Sequence, residues 1–467
     1  MNWKKNGKMI STSGTCKITV ILFALLSWSA IAAAEESASN SEEPEAVGEF
    51  CEECIRVDAI LIEGLLRTRR QVVERELIFV EGDITSVDEV EKSVQRLRNT
   101  GLFHRVEYEL LDQQISAHGE NNDEIQSQGR LLRLRLDERW TLAPSFRFGS
   151  GGETFLLQLG LQDINVLGSY LKAGGRYSRL GETNSFSLFF RDPRFLDRRQ
   201  QLSVDGAFNN RMQTFYDGDG NLEGGYLLTR RRGGLSLSKE WRSWLKTSVN
   251  TSYSADTFSF DNVSEARQIA QEERGGVPDS MQTLQVGGGV TFGRLDRDGY
   301  RYFGTDLNTQ LAQFFHFGDV STISQRLTIS LRHFIDLPRN STLAFRAMMG
   351  FSSLELEHFQ FTAGGLDAIR GTVDMRYRGP HMWRSNLEYR IPTVENSWII
   401  VQNAFFVDAV GVTQFADSIL DLTAATTGLG VRIISPTISG IVLRFDYALP
   451  VLGADGPGFS FGAGQFF

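Results

Sequence analysis

The sequence predicts an all-β transmembrane barrel of about sixteen antiparallel strands, preceded by one small N-terminal α+β domain. Three observations predict it. From Trp140 onward the chain is a succession of alternating segments separated by turn residues, and its connections switch between short and long. Glycine (46) far outnumbers proline (10) and phenylalanine reaches 33, a composition that suits a closed barrel better than a soluble sandwich. After the N-terminus no run approaches the ~18 uninterrupted apolar residues that a spanning helix requires, so any crossing falls to strands.

Residues 1–34 read as a signal peptide. Lys4, Lys5, Lys8 and Lys17 form a positive n-region, Ile18 to Leu26 is the apolar stretch, and Ala32-Ala33-Ala34 fits the small-x-small cleavage rule. The apolar stretch is too short for a membrane anchor. Removing its four lysines moves the formal charge from −9 to −13, and so acidic a mature protein excludes nucleic acid as a partner. Residues 35–53 are an acidic, Ser/Ala-rich flexible lead. Cys51 and Cys54 are the cysteines left after cleavage. In an exported protein Cys51-Glu52-Glu53-Cys54 reads first as a tight disulfide; its small loop adds little stability. A redox centre lacks a surrounding βαβ pattern. A zinc site would need further ligands, and the six histidines are scattered, so no metal and no cofactor is implied.

Residues 54–138 change texture. Ile55 to Ile62 alternates as a strand ended by Gly64. Thr68 is placed to cap a helix to about Phe79, with Val72, Val73 and Leu77 on one face. Gly82-Asp83 is a turn, and Ser86 or Asp88 starts a second helix carrying Val90, Val94 and Leu97, ending before Gly101. Phe103 to Leu111 and Leu131 to Leu136 alternate as strands, with the polar stretch Asp112 to Gly129 expected as a long loop. This order, with Ile62-Glu63-Gly64, Arg75-Glu76-Leu77, Gly82-Asp83 and Gly101-Leu102-Phe103, resembles a POTRA domain, the periplasmic module of outer-membrane assembly and secretion barrels.

Residues 140–467 supply the barrel. Sixteen strands are expected to start near Leu142, Thr154, Ser169, Thr183, Gln200, Gly224, Ser243, Met281, Tyr302, Ser321, Ser341, Met382, Trp398, Ala425, Ile438 and Gly458. The links at 194–199, 240–243, 337–340 and 435–437 are short; those at 210–224, 261–280, 352–381 and 414–424 are long. With the first strand leaving the N-terminal domain upward, all the short links fall on one side and all the long ones on the other, the asymmetry of an outer-membrane barrel. Alternation assigns the faces. Leu327, Ile329, Leu331 and Ile335 oppose Arg326, Thr328, Ser330 and Arg332, and a mid-bilayer arginine costs roughly 2–4 kcal/mol, so the charged faces line the lumen. Arg191, Arg332, Arg346, Arg390, Arg444 and Asp446 are read as plain polar lining. Phe459, Phe461, Ala463 and Phe467 share a face at the chain end with Gln465, a partial match to the terminal-strand signal of outer-membrane barrels.

The most specific motif is Gly364-Gly365-Leu366-Asp367-Ala368-Ile369-Arg370-Gly371, in the long sixth outer loop. It resembles the V/I-R-G-F/Y signature of the BamA/TamA-type outer-membrane assembly and secretion family, with Thr372 replacing the aromatic. The resemblance implies a loop folded into the barrel, whose Arg370 meets acidic residues on the next two strands. Here those residues are Glu388 and Asp408, and alternation independently turns both inward. Gly364, Gly365 and Gly371 permit tight turns around Arg370. Pro144, Gly149, Gly462, Gly464 and Phe467 mark a candidate lateral seam between first and last strands, where proline and glycine weaken the ladder.

These readings imply a non-enzymatic barrel in the outer membrane with its N-terminal domain in the periplasm. It would embed in the lipid bilayer and assemble, insert or translocate a client polypeptide or lipid, with periplasmic accessory proteins as candidate partners. A passive pore or receptor is the alternative. A barrel lipase would need a Ser–His–acid constellation, and no Gly-x-Ser-x-Gly or similar nucleophile context accompanies His333.

Overall fold

The structure, a computed structural model, describes residues 54–118, 124–151, 154–196, 199–217, 221–353, 356–365, 368–437, 442–453 and 456–463. The signal peptide, the acidic lead, Cys51, the side chain of Cys54, Gly464 and Phe467 lie outside the described residues.

The small domain runs β1 (Cys54–Glu63), α1 (Arg70–Glu74), β2 (Ile84–Ser86), α2 (Val87–Thr100), β3 (Phe103–His118) and β4 (Glu124–Glu138), in a sheet of order β2-β1-β4-β3. α2 begins where the sequence places it. Ser86 caps it in a reciprocal box with Glu89, each side chain accepting from the other's backbone N–H at 3.2 Å, and Gly101 ends it at φ 73°. Its face of Val90, Val94 and Leu97 packs on Val57 of β1 and Leu132, Leu134 and Leu136 of β4.

Two local expectations fail. The helix expected over 68–79 shrinks to the five residues of α1, because Thr68 does not cap it. Glu138 instead accepts from the Thr68 N–H at 2.8 Å, and the Thr68 hydroxyl accepts from Asn165 at 2.8 Å, which ties this corner to the barrel. The stretch expected as a loop at 112–129 is mostly strand: β3 and β4 stay paired out to His118 and Glu124, since a ladder is built from backbone hydrogen bonds and a polar sequence does not end it.

Sixteen strands close the barrel among the described residues, from Leu142–Gly151 and Thr154–Val166 to Val442–Leu452 and Gly458–Ala463. Leu188, Phe190, Val249, Phe405, Val407, Leu429 and Tyr447 project outward and exposed, while Asp256, Glu388, Asp408 and Arg432 are buried within. That inversion of the soluble pattern is the solution a lipid solvent selects. The loop expected at 210–224 is mostly strand. Gln200–Tyr216 and Leu222–Arg242 stay paired out to Tyr216 opposite Leu222.

The small domain docks against the turns at one end of the barrel. Glu76, fully buried, takes a two-pronged contact from Arg194 at 2.6 and 2.5 Å. Arg67 reaches Asp163 at 2.8 Å, and Asn99 reaches Asp296 at 2.9 Å. Tyr170, from a barrel turn, completes the small domain's own core.

Candidate functional site

Four consecutive strands, His381–Glu395, Ile400–Thr413, Ala424–Ile434 and Val442–Leu452, build one wall of the lumen. Register sets Asn386 beside Asp408, Gly430 beside Asp446, and Arg432 beside Arg444. A Cβ on Gly430 would overlap the Asp446 carboxylate and press on the Arg432 guanidinium, so this strand must carry glycine there for the charges to meet.

The loop between Ser341–Ser352 and His381–Glu395 turns into the barrel. It forms a short helix at Glu357–Phe359 and a small hairpin of Phe361–Ala363 with Tyr377–Gly379. Gly364 (φ 132°) and Gly365 (φ 70°) adopt conformations that side-chain-bearing residues resist. Beyond them Ile369 is fully buried and Arg370 enters the wall. Gly371 lies so close to the last strands that its own Cβ would come within 2.9 Å of that of Ala448.

Arg370 is the hub. Its Nε and Nη2 each donate to Asp408 at 2.8 Å, its backbone N–H to the same carboxylate at 3.1 Å, and Nη1 to Glu388 at 2.9 Å. Its guanidinium lies 3.4 Å from the centre of the Phe406 ring. Asn386 bridges the loop to the wall, donating to Ala368 O at 3.0 Å and to Asp408 at 2.8 Å.

Of the remaining members, three were read from sequence as plain lining and Arg432 was not singled out. Arg432 donates to Glu388 at 3.0 Å and to Asp446 at 2.6 Å; Arg390 donates to Glu388 at 2.9 Å; Arg444 stands 3.2 Å from Asp446. Arg390, Arg444 and Asp446, expected as plain lining, therefore belong to the cluster, and so does Arg432. Each of these groups is at most 4% exposed. Arg346, also expected as lining, bonds Asn386 at 2.7 Å. Arg432 escaped notice because Val431-Arg432-Ile433 reads like any alternating segment; its inward face and register would have been the signal.

The far side of the loop reaches the opposite wall. Arg211 meets Asp374 at 2.7 Å, Arg378 donates to Gln213 at 3.1 Å, and Arg274 bonds Glu357 at 2.6 Å. Arg326 donates to Phe359 O and Tyr377 to Gly453 O. The loop thus crosses the lumen and is held at both ends.

The candidate seam residues occupy two strands that meet. Pro144 and Gly149 lie opposite Leu161 and Leu156 within an otherwise regular ladder, and Gly462 lies opposite Arg444. Between first and last strands the described residues pair at one register position, Phe461 opposite Phe148. The Phe461 ring packs tilted against Phe146 and Phe445, with centroids 5.9 and 4.5 Å away.

Comparison with known proteins agrees with this architecture. A model of the Omp85 superfamily domain matches residues 165–467, and one of the POTRA type, the surface antigen variable number repeat, matches residues 55–125. The outer membrane protein assembly factor BamA of Nitratidesulfovibrio vulgaris is 28% identical over 148 residues, 31% of this chain and 17% of that protein's length. The crystal structure of BamA from Haemophilus ducreyi lacking POTRA domains 1-3 superposes with TM-score 0.53 at 18% identity, covering 88% of this chain and 84% of that one. CdiB from Acinetobacter baumannii gives 0.54 at 14% identity, covering 88% and 74%, and CdiB from Escherichia coli gives 0.51 at 12%, covering 90% and 92%. At such identities the structures share the fold, whereas the superfamily match spans well over half of the sequence: the chain belongs to the Omp85 superfamily.

Proposed function

We propose that this outer-membrane barrel assembles, inserts or translocates client polypeptides by capturing an incoming strand at the junction of its first and last strands. The observation that carries this reading is that junction: the barrel closes by pairing its last strand with its first, Phe461 opposite Phe148, and the first strand carries Pro144, which lacks a backbone donor, while Gly149 and Gly462 lack side chains to pack. When that junction parts, each strand edge presents backbone donors and acceptors that an extended client can satisfy by β-augmentation. A relative by sequence that is named an outer membrane protein assembly factor is consistent with work on polypeptides.

In this reading Arg370, Glu388 and Asp408, with Arg390, Arg432 and Asp446, lock the loop inside the lumen, and Gly364, Gly365 and Gly371 shape it. The apex of the loop rests on the last two strands beside the seam, since a Cβ on Gly458 would approach Gly371 Cα to 2.6 Å. The lock and the seam are therefore mechanically adjacent. Periplasmic accessory proteins and a lipid client remain within the same proposal. A passive pore is the second reading, favoured by a polar chamber of about 860 Å³ between the loop and the early strands.

One comparison separates the two: planar-bilayer conductance against insertion of a test barrel into liposomes carrying the purified protein. Accelerated insertion with low, intermittent conductance supports assembly. Steady conductance with no acceleration supports the pore and defeats strand capture.

A further inference from the structure

At the end of the lumen facing the small domain lies a separate chamber of about 390 Å³, walled by barrel strands and floored in part by Arg96, Asn99 and Thr100 of α2. Its charge is one-sided: eight lining residues are lysine or arginine and two are acidic. Four of the cations have carboxylate partners. Arg194 and Arg96 share Glu76 at 2.5 and 3.7 Å, Arg294 holds Asp296 at 2.6 Å, and Arg332 holds Asp306 at 2.6 Å. Among the described residues this leaves Lys172, Arg199, Arg242 and Lys246 against Glu240, which lies opposite Lys246 in register.

Backbone register sharpens the imbalance. Lys172 sits directly across from Arg191, both on inward-facing positions of adjacent strands. Like charges directly opposed on one sheet face destabilise it, and a partly desolvated cavity strengthens their repulsion. The surplus of cations converges on one volume at the end of the lumen.

We propose that this chamber is a binding site for a phosphate group, carried either by a free phosphate or by a lipid headgroup, with Lys172 and Lys246 as its principal ligands. A phosphate monoester carries nearly two negative charges near neutral pH and three acceptor oxygens, so a single such group offsets two ammonium ions while accepting from both. Arg199 and Arg242 add attraction from the rim. The small domain forms part of the floor, so an occupied site bridges it to the barrel.

The test uses the full chain in phosphatidylcholine nanodiscs. Inorganic phosphate is titrated calorimetrically in one arm; in the other, nanodiscs containing phosphatidic acid are compared with phosphatidylcholine alone by native mass spectrometry of retained lipid. Wild type is expected to bind in at least one arm, and the arm that responds identifies the source. K172Q/K246Q is expected to weaken binding at least tenfold while raising the thermal midpoint, because it relieves the repulsion; K172R/K246R is expected to restore binding. Heat-modifiable migration checks that each variant has folded. Equal binding by wild type and K172Q/K246Q, or no binding in either arm, overturns the proposal.

Discussion

Arg370 shows what a single side chain has to satisfy inside the barrel. It brings a fork, a backbone N–H and a cation–π face to one place, and all are used. Removing one partner from a buried ionic network costs about 3–5 kcal/mol, mostly through the charge left behind. Arg370→Ala leaves Glu388 to Arg390 and Arg432, but Asp408 keeps only Asn386 from the contacts described above. The barrel's ladders do not depend on this residue, so Arg370→Ala is expected to insert and migrate as a heat-modifiable barrel. Its loop is expected to become protease-sensitive within 356–380; an unchanged digestion pattern would remove the lock. Gly430→Ala tests the same cluster without touching a charge. Its methyl would overlap Asp446, so the temperature of heat-modification is expected to fall although the substitution is small and apolar. Sequence made Arg370, Glu388 and Asp408 legible because a motif and two alternating strands converge on them. It left Arg432 silent, because the opposition of Arg432 to Arg444 exists only once register is fixed.

At the scale of elements, the inward loop and the docked small domain each carry a second hold that sequence could not show. On the loop, burial draws His358 down to about 3, with the cations Arg230, Arg378 and neighbouring His316 adding to the effect. Its ring packs 4.9 Å from both Phe258 and Phe359 and stands 3.4 Å from the Tyr226 hydroxyl, so the folded site holds the neutral imidazole. The released loop would titrate near 6.5. Its inward state therefore binds fewer protons between those values, and this hold is full above about pH 6.5 and lost progressively as pH falls toward 3. Acidification over that window is expected to raise protease access to the loop, and His358→Phe is expected to flatten the dependence; a wild-type profile flat from pH 7 to 4 would discard this hold. In the small domain, α2 was readable to its caps because its signals are local. The shortened α1 was not, since Thr68 is drawn to Asn165, almost a hundred residues away, and a long-range contact overrode a local propensity. Glu76→Gln is expected to free the small domain from the turn carrying Arg194, detectable as faster hydrogen exchange at 165–170 and 192–195 with the barrel unchanged.

For the whole molecule, strand order and number were legible because they rest on a period of two repeated many times, and errors at single turns do not accumulate. The hairpin arm of the small domain and the ladder beyond Asn210 were misjudged as loops for the opposite reason: polar and glycine residues around each bend blur the period of two in the sequence while the backbone pairing continues. The seam follows from closure itself, since a barrel built from one chain must join its first and last strands. The physical question is whether that junction works by opening. A cysteine pair at Phe148 and Phe461, which lie opposite in register, tests it in a background with Cys51 and Cys54 replaced by serine. Oxidation adds one covalent link between the first and last strands and leaves the other fifteen junctions as they are, so heat-modification should shift upward while the lumen and its ion cluster stay intact. If client strands enter there, the oxidised protein is expected to lose acceleration of test-barrel insertion into liposomes, and reductant to restore it within one preparation. Undiminished insertion by fully cross-linked protein would show that the seam need not part, and would move the search for client contact to the small domain or the lumen.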